Sequence, residues 1–258
     1  MEFQQKVIII TGASSGIGEV CALKMAKAGG LISLVGRNVD NLKRVARECA
    51  KFSGKEPLVV VGDISITEDV EKIVHNTLTR YGKINILVNN AGIMLPGGIS
   101  SDISNLDRIV ATNIRGTYLL TQKCIPHLIE TKGNIVTISS VVSTITEPML
   151  TPYSMTKAAL DSFTRCVAAE LGPKGVRVNS VNPGPIRTNL FTTGGLPDSV
   201  CETKFEEWAQ CSPLRRIADC DDIANSVIFL ASDKAKSITG SFFYVDAGLH
   251  LGTPMLCL

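Results

Sequence analysis

Tyr153 and Lys157, four residues apart, are the side chains of this sequence whose types and spacing suit them to moving a proton. Residues i and i+4 share a helical face, so the lysine ammonium can sit under the tyrosine phenol. A free phenol has a pKa of about 10 and exchanges protons poorly at neutral pH. A nearby cation favours the phenolate and draws that value toward the working range, as general acid–base chemistry requires. Ser140 lies thirteen residues before the tyrosine, at the end of an apolar run. A Tyr-x3-Lys tetrad is common, however, and taken alone reads better as the start of an ordinary surface helix.

A frame is needed to give the tetrad meaning, and the hydrophobic pattern supplies one. Apolar runs of strand length at 6–11, 31–35, 58–61, 84–88, 134–139, 177–181 and 241–245 alternate with stretches of helical periodicity at 19–28, 41–52, 67–81, 105–129, 156–171 and 222–231. Strands apolar on both faces and separated by helices predict an α/β fold: a doubly wound, mostly parallel sheet with helices on both faces. The ligand site of such a sheet lies at the carboxyl ends of its strands. The whole chain, 1–258, reads as one domain, with no linker or repeat. Its one irregular stretch, 189–213, is rich in Thr, Gly and Pro and is expected to form a mobile substrate lid.

The turn Gly12-Ala13-Ser14-Ser15-Gly16-Ile17-Gly18 falls between the first strand and the first helix. Glycines there let the backbone approach a pyrophosphate, whose charge is met by the free N–H groups of a helix N-terminus. A dinucleotide with a free 2′-hydroxyl usually meets a carboxylate about 20 residues further on. Here the second strand ends Val35-Gly36-Arg37-Asn38, without one. Arg37, with Ser14, suits a 2′-phosphate, which predicts NADP(H) over NAD(H); the alternative leaves Arg37 in solvent and makes Asp40 the ribose ligand. Asp63, beside Ile64, is placed to accept from an adenine amino group. Asn90, Ala91 and Gly92, after the fourth strand, could contact a ribose or support the sheet edge.

Composition narrows the function classes. A net charge of +2 with scattered basic residues gives no electrostatic case for nucleic acid. No apolar run reaches the roughly 18 residues of a membrane span. Eight dispersed cysteines, with no CxxC and no histidine at ligand spacing, read as reduced thiols rather than a disulfide framework or metal site. No presequence is visible, so a cytoplasmic location is expected.

These motifs, in order and with Asn113 and Asn182-Pro183-Gly184, resemble those of the short-chain dehydrogenase/reductase family over 6–248; the chain is most similar to the 3-oxoacyl-carrier-protein reductases and their relatives. The resemblance implies a Rossmann-type sheet of about seven strands, hydride transfer between nicotinamide and a carbonyl or secondary alcohol, and a homotetramer or homodimer. It implies that Tyr153 is the general acid or base and that Lys157 lowers its pKa and holds the nicotinamide ribose. Ser140 would bind the substrate oxygen, and Asn113 would kink its helix and hold a water linked to Lys157. Pro183, Gly184, Ile186 and Thr188 would contact nicotinamide. Ala247 departs from the family's Asp-Gly-Gly ending. The flanking residues, 93–96, 143–149, Pro185 and 189–214, are mostly apolar, which favours a small lipophilic carbonyl or alcohol substrate of steroid, isoprenoid or acyl type. An NAD(H)-dependent alcohol dehydrogenase is one alternative, and a cofactor-binding sensor without turnover another. Apolar excess on two helices, including Ala158, Phe163, Val167 and Ala168, is expected to face a partner subunit.

Overall fold

Five consecutive buried residues, Val7–Thr11, form the first strand, β1, covered on both faces as a central parallel strand must be. The computed structural model describes residues 2–252. Six further strands follow: β2 (Leu31–Gly36), β3 (Leu58–Val61), β4 (Ile86–Asn89), β5 (Asn134–Ile138), β6 (Arg177–Pro183) and β7 (Phe242–Val245). All pair in parallel, in the order β3-β2-β1-β4-β5-β6-β7. The expected doubly wound sheet is therefore present.

Successive side chains of a strand point to opposite faces, so β1 feeds two cores. Ile8 and Ile10 pack with α1 (Gly16–Lys27), α2 (Val39–Ser53) and, near the other sheet edge, the helix Cys220–Ala231. Ile9 packs on the opposite face with α3 (Thr67–Tyr81) and the helices Thr117–Thr131 and Thr151–Leu171. The chain steps outward from β1 to β3, then returns to place β4 on the other side of β1. That reversal opens a crevice at the carboxyl ends of β1 and β4, where ligands bind in this architecture.

Two expectations need correction. The long helix of 105–129 runs further and is not uniform: α4 (Ile103–Ile109) and α5 (Thr117–Thr131) are joined by a π-helical turn, Val110–Gly116. The segment 189–213 is not a loop. It folds into a short α7 (Leu190–Thr193) and a fourteen-residue α8 (Asp198–Cys211), whose Cys201 and Phe205 are buried. Those residues, with Trp208, recur every three or four positions after a starting Pro197-Asp198, a helical signal masked by the Thr, Gly and Pro ahead of it. The remaining helices are α6 (Thr151–Leu171) and α9 (Cys220–Ala231). Val167 and Ala168 of α6 are buried within the chain's own core, so they do not await a partner. Ala158 is exposed and Phe163 half-buried, and the larger exposed apolar side chains on this side are Ile103, Tyr118 and Met155.

Candidate active site

A cleft of about 650 Å³ runs over the crevice. At one end the turn after β1 lines it with Gly12, Ser14, Ser15, Gly16 and Ile17. Gly12 has φ +64°, and a side chain there would strike the Asn90 amide at 2.7 Å. Gly18 does not line the cleft. It lies against the Gly12 carbonyl, where a Cβ would sit 2.4 Å from oxygen, and so draws the helix N-terminus up to the turn.

Asn90 and Thr11 stitch β4 to β1. Thr11 Oγ1 accepts from the N–H groups of Asn90 and Ala91 at 3.0 and 2.9 Å, and Asn90 Nδ2 donates to the Thr11 carbonyl at 2.8 Å. Asn90, Ala91 and Gly92 also line the cleft, so the segment supports the sheet edge and faces the ligand space together.

Next to the glycine turn, Arg37, Asn38, Asn41, Asp63 and Ile64 line the wall. Asp40 is exposed and is not among the lining residues. Arg37 is two-thirds exposed, and its Nη1 lies 3.4 Å from Asp63 Oδ2. Hydrogen bonds from Ser65 and the charge of Arg37 outweigh burial and hold the Asp63 carboxyl below its ordinary pKa.

In the middle of the cleft stand Ser140, Tyr153 and Lys157. Tyr153 and Lys157 lie on the inward face of α6, and both are buried. Lys157 Nζ is 5.4 Å from the Tyr153 ring centroid and donates to the Ile138 carbonyl at 2.8 Å. Burial pushes the Lys157 pKa down to about 8, against the charge of Asp161. Burial also raises the Tyr153 pKa well above the ordinary phenol range, and only the Ser140 hydroxyl draws it back. The expected lowering by lysine is thus absent in the chain alone: the ammonium is turned toward the end of β5, and desolvation dominates. The two adjacent serines have divided tasks. Ser139 donates to the Lys157 carbonyl and fixes α6 to β5, while Ser140 meets the phenol.

Asn113 is buried in the π turn and does not line the cleft. Its Oδ1 accepts from Ile93 N at 2.9 Å, and its Nδ2 donates to the Ile93 carbonyl at 2.9 Å and to Thr156 Oγ1 at 3.1 Å. A widened turn lets a side chain reach across into the neighbouring loop. A methyl placed on Gly92 would lie 3.3 Å from Asn113 Oδ1 and 3.7 Å from Lys157 Nζ, so these two groups flank the same point.

Pro183, the last residue of β6, and Gly184, Pro185, Ile186 and Thr188 after it line the cleft. The outer end is walled by Met94, Ile145, Leu150, Leu190, Phe191 and Trp208. Leu95, Pro96 and Met149, expected there, are not among the lining residues; Met149 is exposed. Leu249, a wall residue that no sequence motif marks, arrives from the turn after β7, far from the other motifs in sequence. Among the described residues no cluster of His, Cys, Asp and Glu could hold a metal ion, and no helix is long and apolar enough to cross a membrane.

A family model described as enoyl-(acyl carrier protein) reductase matches residues 12–250. The chain is 36% identical to L-xylulose reductase of Caenorhabditis elegans, covering 96% of each. It superposes on the crystal structure of a short-chain dehydrogenase/reductase from Caenorhabditis elegans, solved with cofactor, with a TM-score of 0.93, 33% identity and 97% of each chain covered. It is 37% identical to the 3-ketoacyl-(acyl-carrier-protein) reductase of Brucella melitensis complexed with NADH, with a TM-score of 0.86, covering 95% of this chain and 98% of that one. With its seven-stranded parallel sheet and its cleft at the switch between β1 and β4, the chain belongs to the short-chain dehydrogenase/reductase family of oxidoreductases.

Proposed function

We propose that the protein is an NADP(H)-dependent oxidoreductase that reduces the carbonyl group of a lipophilic substrate, or oxidises the matching secondary alcohol. The observation that carries this reading is the set Ser140, Tyr153 and Lys157 midway along a cleft with a phosphate turn at one end and apolar walls at the other. The residues present fit a dinucleotide. A Cβ at Gly12 or Gly18 would fill space or break the turn, and a helix N-terminus stands behind it. Arg37 and Ser14 favour a 2′-phosphate.

Bound there, the cofactor supplies or takes the hydride. Gly12, Ser14, Ser15, Gly16 and Ile17 would hold the pyrophosphate, Asp63 and Ile64 the adenine, and Asn90, Ala91 and Gly92 the adjoining ribose. Lys157, with two N–H groups left beyond its bond to Ile138, would hold the nicotinamide ribose, and Pro183, Gly184, Ile186 and Thr188 the ring. The substrate oxygen would sit between the hydroxyls of Ser140 and Tyr153, which donate more strongly as negative charge grows on it. With its pKa raised, Tyr153 carries its proton at neutral pH and acts as general acid in reduction. Lys157 returns a proton to it. Asn113 holds the Ile93 loop and Thr156 in register beside this pair.

One observation favours a second reading, an NAD(H)-dependent alcohol dehydrogenase: Arg37 leans toward Asp63. A cofactor-binding sensor without turnover has no use for the complete catalytic set. The relatives' names span a sugar and an acyl thioester, so the lipophilic assignment rests on the walls Met94, Ile145, Leu150, Phe191 and Trp208. We read the protein as a cytoplasmic homotetramer or homodimer; its described cysteines are all free, as in a reducing compartment. The test is oxidation of NADPH, with NADH in parallel, across a panel of neutral aliphatic, cyclic and steroidal ketones. Turnover with NADPH of the bulkier ketones is expected; turnover with NADH alone, or with small polar carbonyls alone, would reject the cofactor or the substrate assignment.

A further inference from the structure

The inward face of α6 continues past the lysine. Tyr153, Lys157 and Asp161 stand at i, i+4 and i+8, one row on one face, and all three are buried. Asp161 is only 4% exposed, yet it has a single hydrogen-bond partner: the Asn182 amide, whose Nδ2 donates to Oδ1 and Oδ2 at 3.2 and 3.1 Å. A buried carboxylate normally gathers several donors or a cation in contact. Of the two cations that flank Asp161 in the row, Lys157 is turned to the Ile138 carbonyl and Arg165 lies over the Phe242 ring, and neither forms an ion pair with it.

The same Asn182 amide reaches the Ser140 carbonyl at 3.3 Å and the Ser143 hydroxyl at 3.2 Å, while its Oδ1 accepts from Ser180 at 2.6 Å. Asp161 is therefore joined to both ends of the catalytic set, to Lys157 by charge and to Ser140 by way of Asn182. Among the described residues, no other charged side chain is hydrogen-bonded or ion-paired to Asp161 or to the Lys157 ammonium. β5 presents only the Ile138 carbonyl to Lys157, and β6 and the turn 141–143 present Asn182 and Ser143 to Asp161. α4 keeps Asp107 and Arg108 exposed, and Arg115 of the π turn is bound to Ser65 and Thr67. The remaining titratable groups on the row are Tyr153 and Arg165, and the exposed Arg165 lies over the Phe242 ring.

We propose that Asp161 is a positioning residue of the active site: its charge keeps Lys157 an ammonium, and its hold on Asn182 fixes the strand end that carries Ser140. The charge half of the proposal has support in the direction of its effect, since Asp161 raises the Lys157 pKa against desolvation. The proposal rests on the reading of Lys157 as a working residue, but its test does not need turnover.

The rate of acetylation of Lys157 by a small anhydride, followed against pH by peptide mass spectrometry, reports the titration of that lysine directly. In Asp161→Asn, which keeps the shape, the midpoint should fall by about one pH unit, roughly a tenfold change in the proton equilibrium. Asp161→Ala is a second neutral variant, and Asp161→Glu, which keeps the charge, should titrate close to the native protein. If the enzyme turns over, the alkaline limb of its kcat profile should move down with the labelling midpoint. A Lys157 midpoint unmoved in a folded neutral variant would overturn the proposal. So would loss of folding in all three variants, which would make Asp161 a purely structural residue. Absence of turnover with a shifted labelling midpoint would instead count against the proposed reaction alone.

Discussion

Lys157 Nζ stands 5.4 Å from the centre of the Tyr153 ring, yet its hydrogen bond goes to the Ile138 carbonyl at the end of β5. The phenol thus keeps its proton, and the lysine is the group of the pair that titrates nearest neutrality. Carbonyl reduction should hold steady from pH 6 to about 7.5 and decline as the ammonium is lost above about 8. Initial rates of NADPH oxidation across that range check this; a rate rising to pH 9 would contradict it.

The same burial has a stability consequence of defined sign. Lys157 binds its proton less tightly folded, about 8, than unfolded, about 10.4. Its cost is therefore fully present below pH 8 and is relieved as pH rises toward 10, because the unfolded chain then binds more protons. Lys157→Met should lose activity and melt several degrees higher than the native protein at pH 7. That gain should shrink by pH 9.5 in matched thermal melts.

Tyr153→Phe removes the hydroxyl proposed as the proton donor and little else, since that hydroxyl has Ser140 as its polar partner. Turnover should fall by about 10²–10⁴-fold, the usual worth of a positioned acid. Cofactor affinity, followed by NADPH fluorescence, should stay within about twofold, given that the ring still fills its place.

Arg37 borders the cleft beside Ser14 and is free to swing from its long contact with Asp63. Arg37→Ala should weaken NADPH binding by about tenfold or more, the worth of a charge-assisted pair, and NADH binding by less than about threefold. Equal losses for both cofactors would assign Arg37 to the fold.

Glu147 is a charged side chain lining the cleft near the apolar walls proposed to take the substrate, held by its own turn through Met149 N at 3.3 Å. It should disfavour anionic ketones. Comparing a keto acid with its methyl ester, Glu147→Gln should raise the relative kcat/KM of the acid by about tenfold, the scale of one like-charge contact near a surface.

Much of this site is legible in the sequence because its residues lie at strand ends, where short motifs and local geometry coincide. The Gly12–Gly18 turn can be read from position alone, and so can the row begun by Tyr153 and Lys157. What the sequence conceals is long-range or phase-dependent. Leu249 reaches the wall only once β7 pairs with β6, and Asn182 meets Asp161 only across a packed interface. The helicity of 198–211 was hidden by turn-forming residues before it, and burial reversed the expected direction of the Tyr153 shift.

The π turn at Val110–Gly116 inserts, in effect, one extra residue into an otherwise continuous screw. Each helical residue advances about 100° around the axis, so α4 and α5 are set out of phase by that amount. α5 presents Leu120, Cys124 and Leu128 to the core, and the turn presents Asn113 to Ile93. Deleting a single residue within 110–116 would restore a regular helix and force a choice between those two alignments. The chain would keep its larger hydrophobic contact and let go of the loop. The turn thus acts as a vernier, setting the cleft's fine alignment independently of the coarse alignment of the sheet.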